Sequence, residues 1–316
     1  MTMRCSRRQA IASAAACAGV GLIADRPAGA PAQGPKAGAP FRYCFNTATI
    51  MGQKLPLDRE VEIAAQAGYQ AIEPWVRKIE EFASAGKSLD DLRKRIGDLG
   101  LVVPSAIGFA DWINDDDNKR AAGLEQMKRD MERVARIGGL RIAAPPAGAY
   151  NVSGMDLLRV AERYRNLLEL GRQMGVVPQL ELWGGSKTLR RLGEVAFVLT
   201  EAAHPDACTV LDAFHIYRGG SDFSGLRHFN GRLMHVFHMN DYPAEPPREK
   251  ITDQYRVFPG DGVAPTSAIL RYLHEAGFQG FLSLELFNPR YFKQDPLEVA
   301  RTGLEKMKSA VAKALG

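Results

Sequence analysis

Short apolar runs alternate with longer amphipathic stretches along the chain from Phe41 onwards. The short runs have the length of buried β-strands, and the stretches between them have the period of helices with one apolar face. On the third such helix that face carries Leu124, Met127, Met131 and Val134. The cycle completes eight times, with candidate strands at residues 41–46, 70–74, 101–107, 140–144, 176–182, 208–212, 234–239 and 280–286. This alternation predicts a series of βα units.

The connections from predicted helices to the following strands are short. Several contain a glycine where the helix is expected to end: Gly68, Gly100, Gly175 and Gly277. Short connections and strands that are apolar on both faces indicate a parallel sheet rather than hairpins. Eight units in a chain of 316 residues predict an α/β fold, a (β/α)8 TIM barrel, as a single domain over residues 41–316. The alternative is an open doubly wound sheet, but no GxGxxG follows the first strand to support a dinucleotide-binding version.

Residues 1–32 differ in composition from the rest of the chain. Ser6-Arg7-Arg8 precedes an alanine-rich apolar run over residues 10–24, and small residues follow at 28–32. This order of charged, apolar and small regions is typical of a twin-arginine export signal, and the apolar run is too short to span a bilayer. We therefore predict an export signal and linker, a periplasmic protein and no stable membrane insertion. The alternative is a disordered basic tail.

The overall composition excludes several classes of function. Hydrophobic residues make up 46% of the chain and charged residues 24%, as in ordinary soluble globular proteins. Most of the formal charge of +5 comes from basic residues before Phe41. No dense run of Lys and Arg with interleaved aromatic residues follows, so nucleic acid is not a predicted partner.

The longest connection between a predicted strand and the next helix covers residues 239–265 and is rich in proline, charged and aromatic residues. In a barrel, the loops that follow the carboxyl ends of the strands build the active site. We therefore expect this loop to cross the mouth of the barrel as a lid or as a wall of the substrate pocket. A solvated structural loop is the alternative.

Four polar residues stand at the carboxyl ends of the last four predicted strands: Glu181, Asp212, His238 and Glu285. Their sequence neighbours are apolar, and a buried carboxylate is costly unless a cation or hydrogen bonds compensate its charge. Four such groups at one barrel mouth predict one divalent metal ion. The oxygen-rich donor set suits Mn, Mg or Co, and Zn is compatible with it. Taken singly, either glutamate could instead pair with Arg141, and His238 could bond to backbone.

Residues around this set are candidates for binding substrate. Two open positions on an octahedral ion would chelate adjacent oxygens of a polyhydroxylated carbonyl compound. His215 could orient a hydroxyl group, with helix capping or surface exposure as the alternative, and Glu73 could bind sugar hydroxyls. We expect aromatic residues to wall the pocket, namely Trp75, Trp112, Trp183 and Phe287.

Five short motifs give the chain a family resemblance: LELW at residues 180–183, LDAFH at 211–215, HVFHMND at 235–241, PGDG at 259–262 and LELF at 284–287. The region from Phe41 to the C-terminus resembles the xylose-isomerase-like TIM barrels. This family is known as the sugar phosphate isomerases/epimerases and includes ketose 3-epimerases, hydroxypyruvate isomerases and inosose dehydratases. The resemblance implies a small-molecule sugar or keto-sugar as substrate.

The resemblance also implies roles for individual residues. Glu181, Asp212, His238 and Glu285 would bind the metal, and His215 would contact the substrate. Glu181 and Glu285 would lie on opposite sides of the sugar and transfer a proton through a metal-stabilised enediolate. An arginine that epimerases carry shortly after the seventh strand has no direct match here, and Arg256 or Lys250 would have to replace it.

Other functions remain open at this point. The same scaffold supports a dehydratase or a 3-keto-glycoside lyase or hydrolase, which would remove the same proton and then expel a leaving group. A non-catalytic sugar-binding protein and an endonuclease IV-like nuclease are further alternatives. The nuclease needs histidines on the second and third strands, whereas the first histidine of this chain is His204. A homo-oligomer is compatible with the sequence.

Overall fold

Seven parallel strands form one curled sheet in the computed structural model, which describes residues 41–316. The strands are β1 (Arg42–Asn46), β2 (Ala71–Glu73), β3 (Arg141–Ala144), β4 (Val177–Glu181), β5 (Thr209–Asp212), β6 (Met234–Met239) and β7 (Phe281–Leu284). Their order is β2-β1-β7-β6-β5-β4-β3, and every pair in the sheet is parallel. The predicted export signal lies outside the described residues.

An irregular segment closes the gap between the two edge strands. The predicted strand at residues 101–107 is not a regular ladder; it joins β2 through the bridges Ala71–Val102 and Trp75–Ile107 and joins β3 through Ala106–Ile142. Pro104 lies within this segment and has no N–H to donate to a neighbouring strand, which explains the interrupted ladder. With this eighth segment in place, the predicted TIM barrel is confirmed.

Within residues 41–316, eight helices lie between successive strands and a ninth follows the last strand. They are α1 (Leu57–Ala67), α2 (Val76–Ser84), α3 (Leu89–Asp98), α4 (Asp117–Arg136), α5 (Leu157–Met174), α6 (Leu192–Ala202), α7 (Ala213–Gly219), α8 (Thr266–Glu275) and α9 (Pro296–Leu315). The second βα unit contains two helices, α2 and α3, because the chain turns at Gly86 with φ +77° and Ser88 then caps α3 by accepting a hydrogen bond from the Asp91 amide. Within residues 41–316, no helix is both long and apolar enough to cross a membrane.

The helical faces follow the predicted period. On α4, Met127, Met131 and Val134 are fully buried in the hydrophobic core that surrounds the barrel. The predicted stop signals are present as well, since Gly68 and Gly175 adopt φ of +93° and +69° and end α1 and α5.

Strand register brings polar side chains to one level inside the barrel. Asn46 on β1 is paired with Glu73 on β2, and His238 on β6 is paired with Asp212 on β5 and with Ser283 on β7. Because side chains alternate along a strand, these positions point to the same face. These polar side chains therefore form one layer at the mouth of the barrel.

Candidate active site

Three of the four predicted metal ligands meet at the carboxyl end of the barrel. Asp212 is the last residue of β5, His238 lies near the end of β6, and Glu285 directly follows β7. One ligand atom from each lies within 4.8 Å of the others, and all three residues are buried. His238 Nδ1 is 3.3 Å from Glu285 Oε2 and 3.7 Å from Asp212 Oδ2. We call these three residues the donor group.

Glu181 lies beside the donor group but outside the 4.8 Å set. It ends β4, only 4% of its surface is exposed, and it lines the same pocket as Glu285. Its Oε2 has no hydrogen-bond partner among the described residues. Burial raises the pKa of Glu181 to about 8, and the carboxylates of Glu285 and Asp212 add to the rise. Without a compensating cation, this carboxyl group therefore holds a proton at neutral pH.

Glu73 orients the imidazole of His238. Its Oε2 accepts hydrogen bonds from His238 Nε2 at 3.0 Å, from Asn46 Nδ2 at 3.0 Å and from Ser283 Oγ at 2.7 Å. Because Nε2 carries the proton of this bond, Nδ1 is the atom that faces Asp212 and Glu285. Burial alone lowers the pKa of His238, but the carboxylates of Glu285 and Glu73 raise it well above its usual range.

The position of Glu73 differs from the one expected for a substrate contact. Its side chain is fully buried, and it is not part of the pocket wall. Sequence reasoning assigned it to sugar hydroxyls because it ends a strand at the barrel mouth. The structure instead surrounds it with His238, Asn46 and Ser283, in a layer beneath the pocket.

Arg256 reaches into the site from the long loop at residues 239–265. Its Nη1 donates to Asp212 Oδ2 at 2.7 Å and to Glu285 Oε2 at 2.9 Å, while Nη2 and Nε donate to Asp253 Oδ1 at 2.5 and 3.0 Å. The side chain is 1% exposed. Burial alone raises the pKa of Asp212, but the Arg256 guanidinium holds it below its usual range. The loop thus supplies a fixed positive charge to the site.

His215 and Trp183 both line the pocket, as the sequence predicted for substrate-binding residues. Asp212 caps α7 by accepting a hydrogen bond from the His215 amide at 2.7 Å, so the two residues keep a fixed spacing. His215 Nε2 lies 3.2 Å from Arg256 Nη2. Because Nε2 accepts from the guanidinium, Nδ1 carries the ring proton. This atom is buried without a hydrogen-bond partner among residues 41–316 and can donate to a bound molecule.

The pocket is a cavity of about 310 Å³ with polar groups on one part of its wall and aromatic rings on the other. Its polar wall includes Glu181, His215, Asp253, Arg256 and Glu285. Its aromatic wall consists of Trp75, Phe109, Tyr150, Trp183, Phe214 and Phe287. The predicted crossing of the mouth by the loop at residues 239–265 is confirmed, since Ile251 and Thr252 also line the cavity.

The residues at the mouth fit a divalent cation. His238 Nδ1 and Glu181 Oε2 are buried polar atoms without hydrogen-bond partners in the described part of the chain. They stand next to the carboxylates of Asp212 and Glu285, and hard oxygen donors with one imidazole nitrogen form a set that divalent ions accept. A bound cation would satisfy these two atoms, whereas Arg256 already pairs with Asp212 and Glu285.

Sequence reasoning missed several residues of the site. Asn46 donates from Nδ2 to Glu285 Oε1 at 3.1 Å, and Asn240 donates from Nδ2 to Asp212 Oδ2 at 2.9 Å. Asn46 could have been found, since it ends the first strand just as the predicted ligands end theirs. Trp112, in contrast, was wrongly predicted to wall the pocket: it is fully buried in the core, and its indole nitrogen donates to Pro145 O at 2.9 Å.

Comparisons with known proteins agree with this fold. An inosose isomerase from Bacillus velezensis is 27% identical over 279 residues, which cover 86% of this chain and 98% of the relative. A 3-dehydroshikimate dehydratase from Pseudomonas putida is 22% identical over 252 residues, or 79% of this chain but 39% of that protein. A solved structure described as the IOLI protein with a binding zinc atom has a TM-score of 0.80 at 24% identity, covering 87% of this chain and 99% of that one.

The family model described as xylose isomerase-like TIM barrel matches residues 61–310. That range includes the donor group, Glu181 and the whole pocket wall. The chain therefore belongs to the xylose isomerase-like TIM barrel family.

Proposed function

We propose that this protein is a metal-dependent isomerase or epimerase of a polyhydroxylated sugar or keto-sugar. The observation that carries the proposal is the pair of buried glutamates, Glu181 and Glu285, which open onto one pocket beside the donor group. Two carboxyl groups at one cavity can take a proton from a carbon atom and return it elsewhere. The similarity to inosose isomerase over 86% of the chain supports this reaction class.

Asp212, His238 and Glu285 would hold the ion, with Glu181 beside them as a weaker fourth ligand. When bound, a divalent ion would polarise the carbonyl group of the substrate and stabilise negative charge that develops on its oxygen. The oxygen-rich donor set favours Mn, Mg or Co. The zinc atom named for the IOLI structure makes zinc a further candidate.

The residues of the chain would share the remaining tasks. One of the two glutamates removes the proton from the carbon next to the carbonyl group, and a carboxyl group returns a proton to the product. Arg256 holds Asp212 and Glu285 in place through its two hydrogen bonds. His215 would bond to a substrate hydroxyl through its unpartnered Nδ1. The aromatic wall excludes water from the reacting carbon.

The proposal is tested by combining metal analysis with deuterium exchange in heavy water. We expect one equivalent of divalent metal per chain and incorporation of solvent deuterium at the carbon next to the carbonyl group of a ketose or inosose, together with an isomerised product. A metal-free protein with full activity would contradict the metal-dependent mechanism. Metal-loaded protein that exchanges no hydrogen in any ketose, inosose or keto-glycoside would contradict the enzymatic one.

Elimination is the second candidate function, and the similarity to 3-dehydroshikimate dehydratase favours it. A dehydratase, or a lyase or hydrolase acting on a 3-keto-glycoside, would begin with the same removal of a proton. The electron pair of the broken C–H bond would then expel a leaving group from the neighbouring carbon as water or an alcohol. Nuclear magnetic resonance of the product distinguishes the two, because elimination leaves a new double bond and isomerisation does not.

Glu73 is proposed to act on the metal site through His238. We expect the substitution Glu73→Gln to weaken metal binding by about 10- to 100-fold, the range typical for loss of a carboxylate behind a ligating histidine. Isothermal titration with Mn²⁺ measures this affinity. The matched control is Ser283→Ala, which removes one hydrogen bond to Glu73 but keeps its charge, and whose effect should be smaller. Unchanged affinity in E73Q would show that His238 needs no such partner.

A further inference from the structure

Five aromatic residues form a continuous arc along the wall of the pocket. They are Trp75, Phe109, Tyr150, Trp183 and Phe287, and we call them the aromatic rim. Neighbouring rings are in contact, with centroid distances of 4.9 Å for Trp75–Phe109, 5.9 Å for Phe109–Trp183, 6.1 Å for Tyr150–Trp183 and 6.0 Å for Trp75–Phe287. Each residue follows a different strand or strand segment, so five separate loops contribute one surface.

Two members of the rim are exposed although they are large and apolar. Phe109 is 44% exposed and Tyr150 is 42% exposed, while each has a ring in contact with Trp183. Burying these rings in the core would stabilise the fold more than leaving them open. A contiguous apolar surface at the edge of a polar pocket is typical of a binding site rather than of scattered surface residues.

The absence of a side chain at Gly185 leaves space for Tyr150. A Cβ atom at Gly185 would lie 2.5 Å from the Tyr150 hydroxyl oxygen, closer than real Cβ atoms approach such a group. A glycine at this position lets the tyrosine lie against the pocket wall, where both residues line the cavity. The exposed ring of Tyr150 therefore lies between the Gly185 backbone and the ring of Trp183.

The pocket thus has two chemically different parts. Its deep part carries buried charged groups, including Glu181, Arg256 and Glu285, which suit the hydroxyl and carbonyl groups of one sugar unit. Its outer part offers ring faces, and ring faces prefer flat or apolar ring surfaces. A single sugar unit held at the deep polar groups leaves the exposed rings of Phe109 and Tyr150 without a partner.

We propose that the aromatic rim binds a second ring of the substrate, so that the natural substrate is a sugar or keto-sugar joined to another ring, either glycosyl or aryl. This inference rests on the proposed function, because it takes the deep part of the pocket as the site of the reacting sugar. Phe109, Tyr150 and Trp183 stack on the second ring, and the donor group lies beyond it.

Tryptophan fluorescence offers a direct test of binding. The chain has three tryptophans: Trp75 and Trp183 belong to the rim, while Trp112 is fully buried in the core. Quenching by a ligand therefore reports on the rim. The probes are methyl β-glucoside, phenyl β-glucoside and cellobiose, titrated into the metal-loaded full chain.

We expect phenyl β-glucoside, cellobiose or both to bind about 10-fold more tightly than methyl β-glucoside, as two or more stacking contacts would provide. The tighter of the two identifies the second ring as aryl or glycosyl. F109A and Y150A should each reduce the affinity for that probe by about 2- to 10-fold and reduce the affinity for methyl β-glucoside by less. The matched control is F197A, an exposed phenylalanine of α6 that does not line the pocket.

Equal affinities for the three probes, no binding of either ring-bearing probe, or no effect of F109A and Y150A would overturn the inference. None of these results depends on turnover. Deuterium exchange on one-ring ketoses would still test the proposed function. A result that contradicts the second-ring inference can therefore be distinguished from one that contradicts the proposed function.

Discussion

Replacing Glu181 with glutamine is expected to lower kcat by about 10²- to 10⁴-fold, the contribution of a positioned general acid or base. Glutamine has nearly the same shape but cannot exchange the proton. Because Glu181 lies outside the set of atoms within 4.8 Å, E181Q should retain most of its metal affinity. The measurements are deuterium incorporation into the substrate and metal content of the purified variant.

The matched comparison is the same substitution at Glu285. This residue belongs to the donor group, so E285Q should lose metal affinity as well as turnover. Comparable metal loss in both variants would mean that Glu181 is a full ligand. Undiminished exchange in E181Q would contradict its role in proton transfer, whatever its metal content.

The second large effect is expected on the affinity for the metal ion. His238→Gln removes the Nδ1 atom that faces Asp212 and Glu285, so metal affinity should fall by more than the roughly 100-fold expected for an outer partner such as Glu73. Turnover at micromolar metal should be lost with it. In the unsubstituted protein, Mn²⁺ at about 100 times Kd should raise Tm by about 5 °C, because ligand binding to the folded state adds roughly 2.7 kcal/mol.

Thermal unfolding with and without a chelator measures this shift. H238Q should show little or no rise at the same Mn²⁺ concentration, while S283A should keep most of it. If a chelator changes neither the Tm nor the activity of the unsubstituted protein, the mechanism does not use a metal ion. An equal rise in H238Q would place the ion elsewhere in the molecule.

The fold and the donor group could be predicted because both follow from local patterns. Buried strands and amphipathic helices have characteristic periods, and residues at the carboxyl ends of parallel strands must meet at one mouth. Asp212, His238 and Glu285 were identified in this way, and the register pairing of Asp212 with His238 explains why the argument succeeds.

Other features depend on distant contacts that no local pattern contains. Arg256 was only one of two candidate basic residues in its loop, because the path of a long loop is set by what it packs against. Glu73 was assigned to substrate since its strand-end position resembles that of the ligands, yet its neighbours Asn46 and Ser283 come from other strands. Trp112 follows an irregular segment, where side-chain direction cannot be derived from a period of two.

The buried Arg256 side chain fastens the loop at residues 239–265 to the ends of β5 and β7. Swinging that loop outward would separate a guanidinium from two carboxylates in a poorly hydrated interior, and breaking a buried pair costs about 3–5 kcal/mol. Substrate and product should therefore pass on the side of Phe109 and Tyr150, and turnover should not wait for this loop to open. Crosslinking the outer turn of the loop to α7 is then expected to leave product release as fast as before.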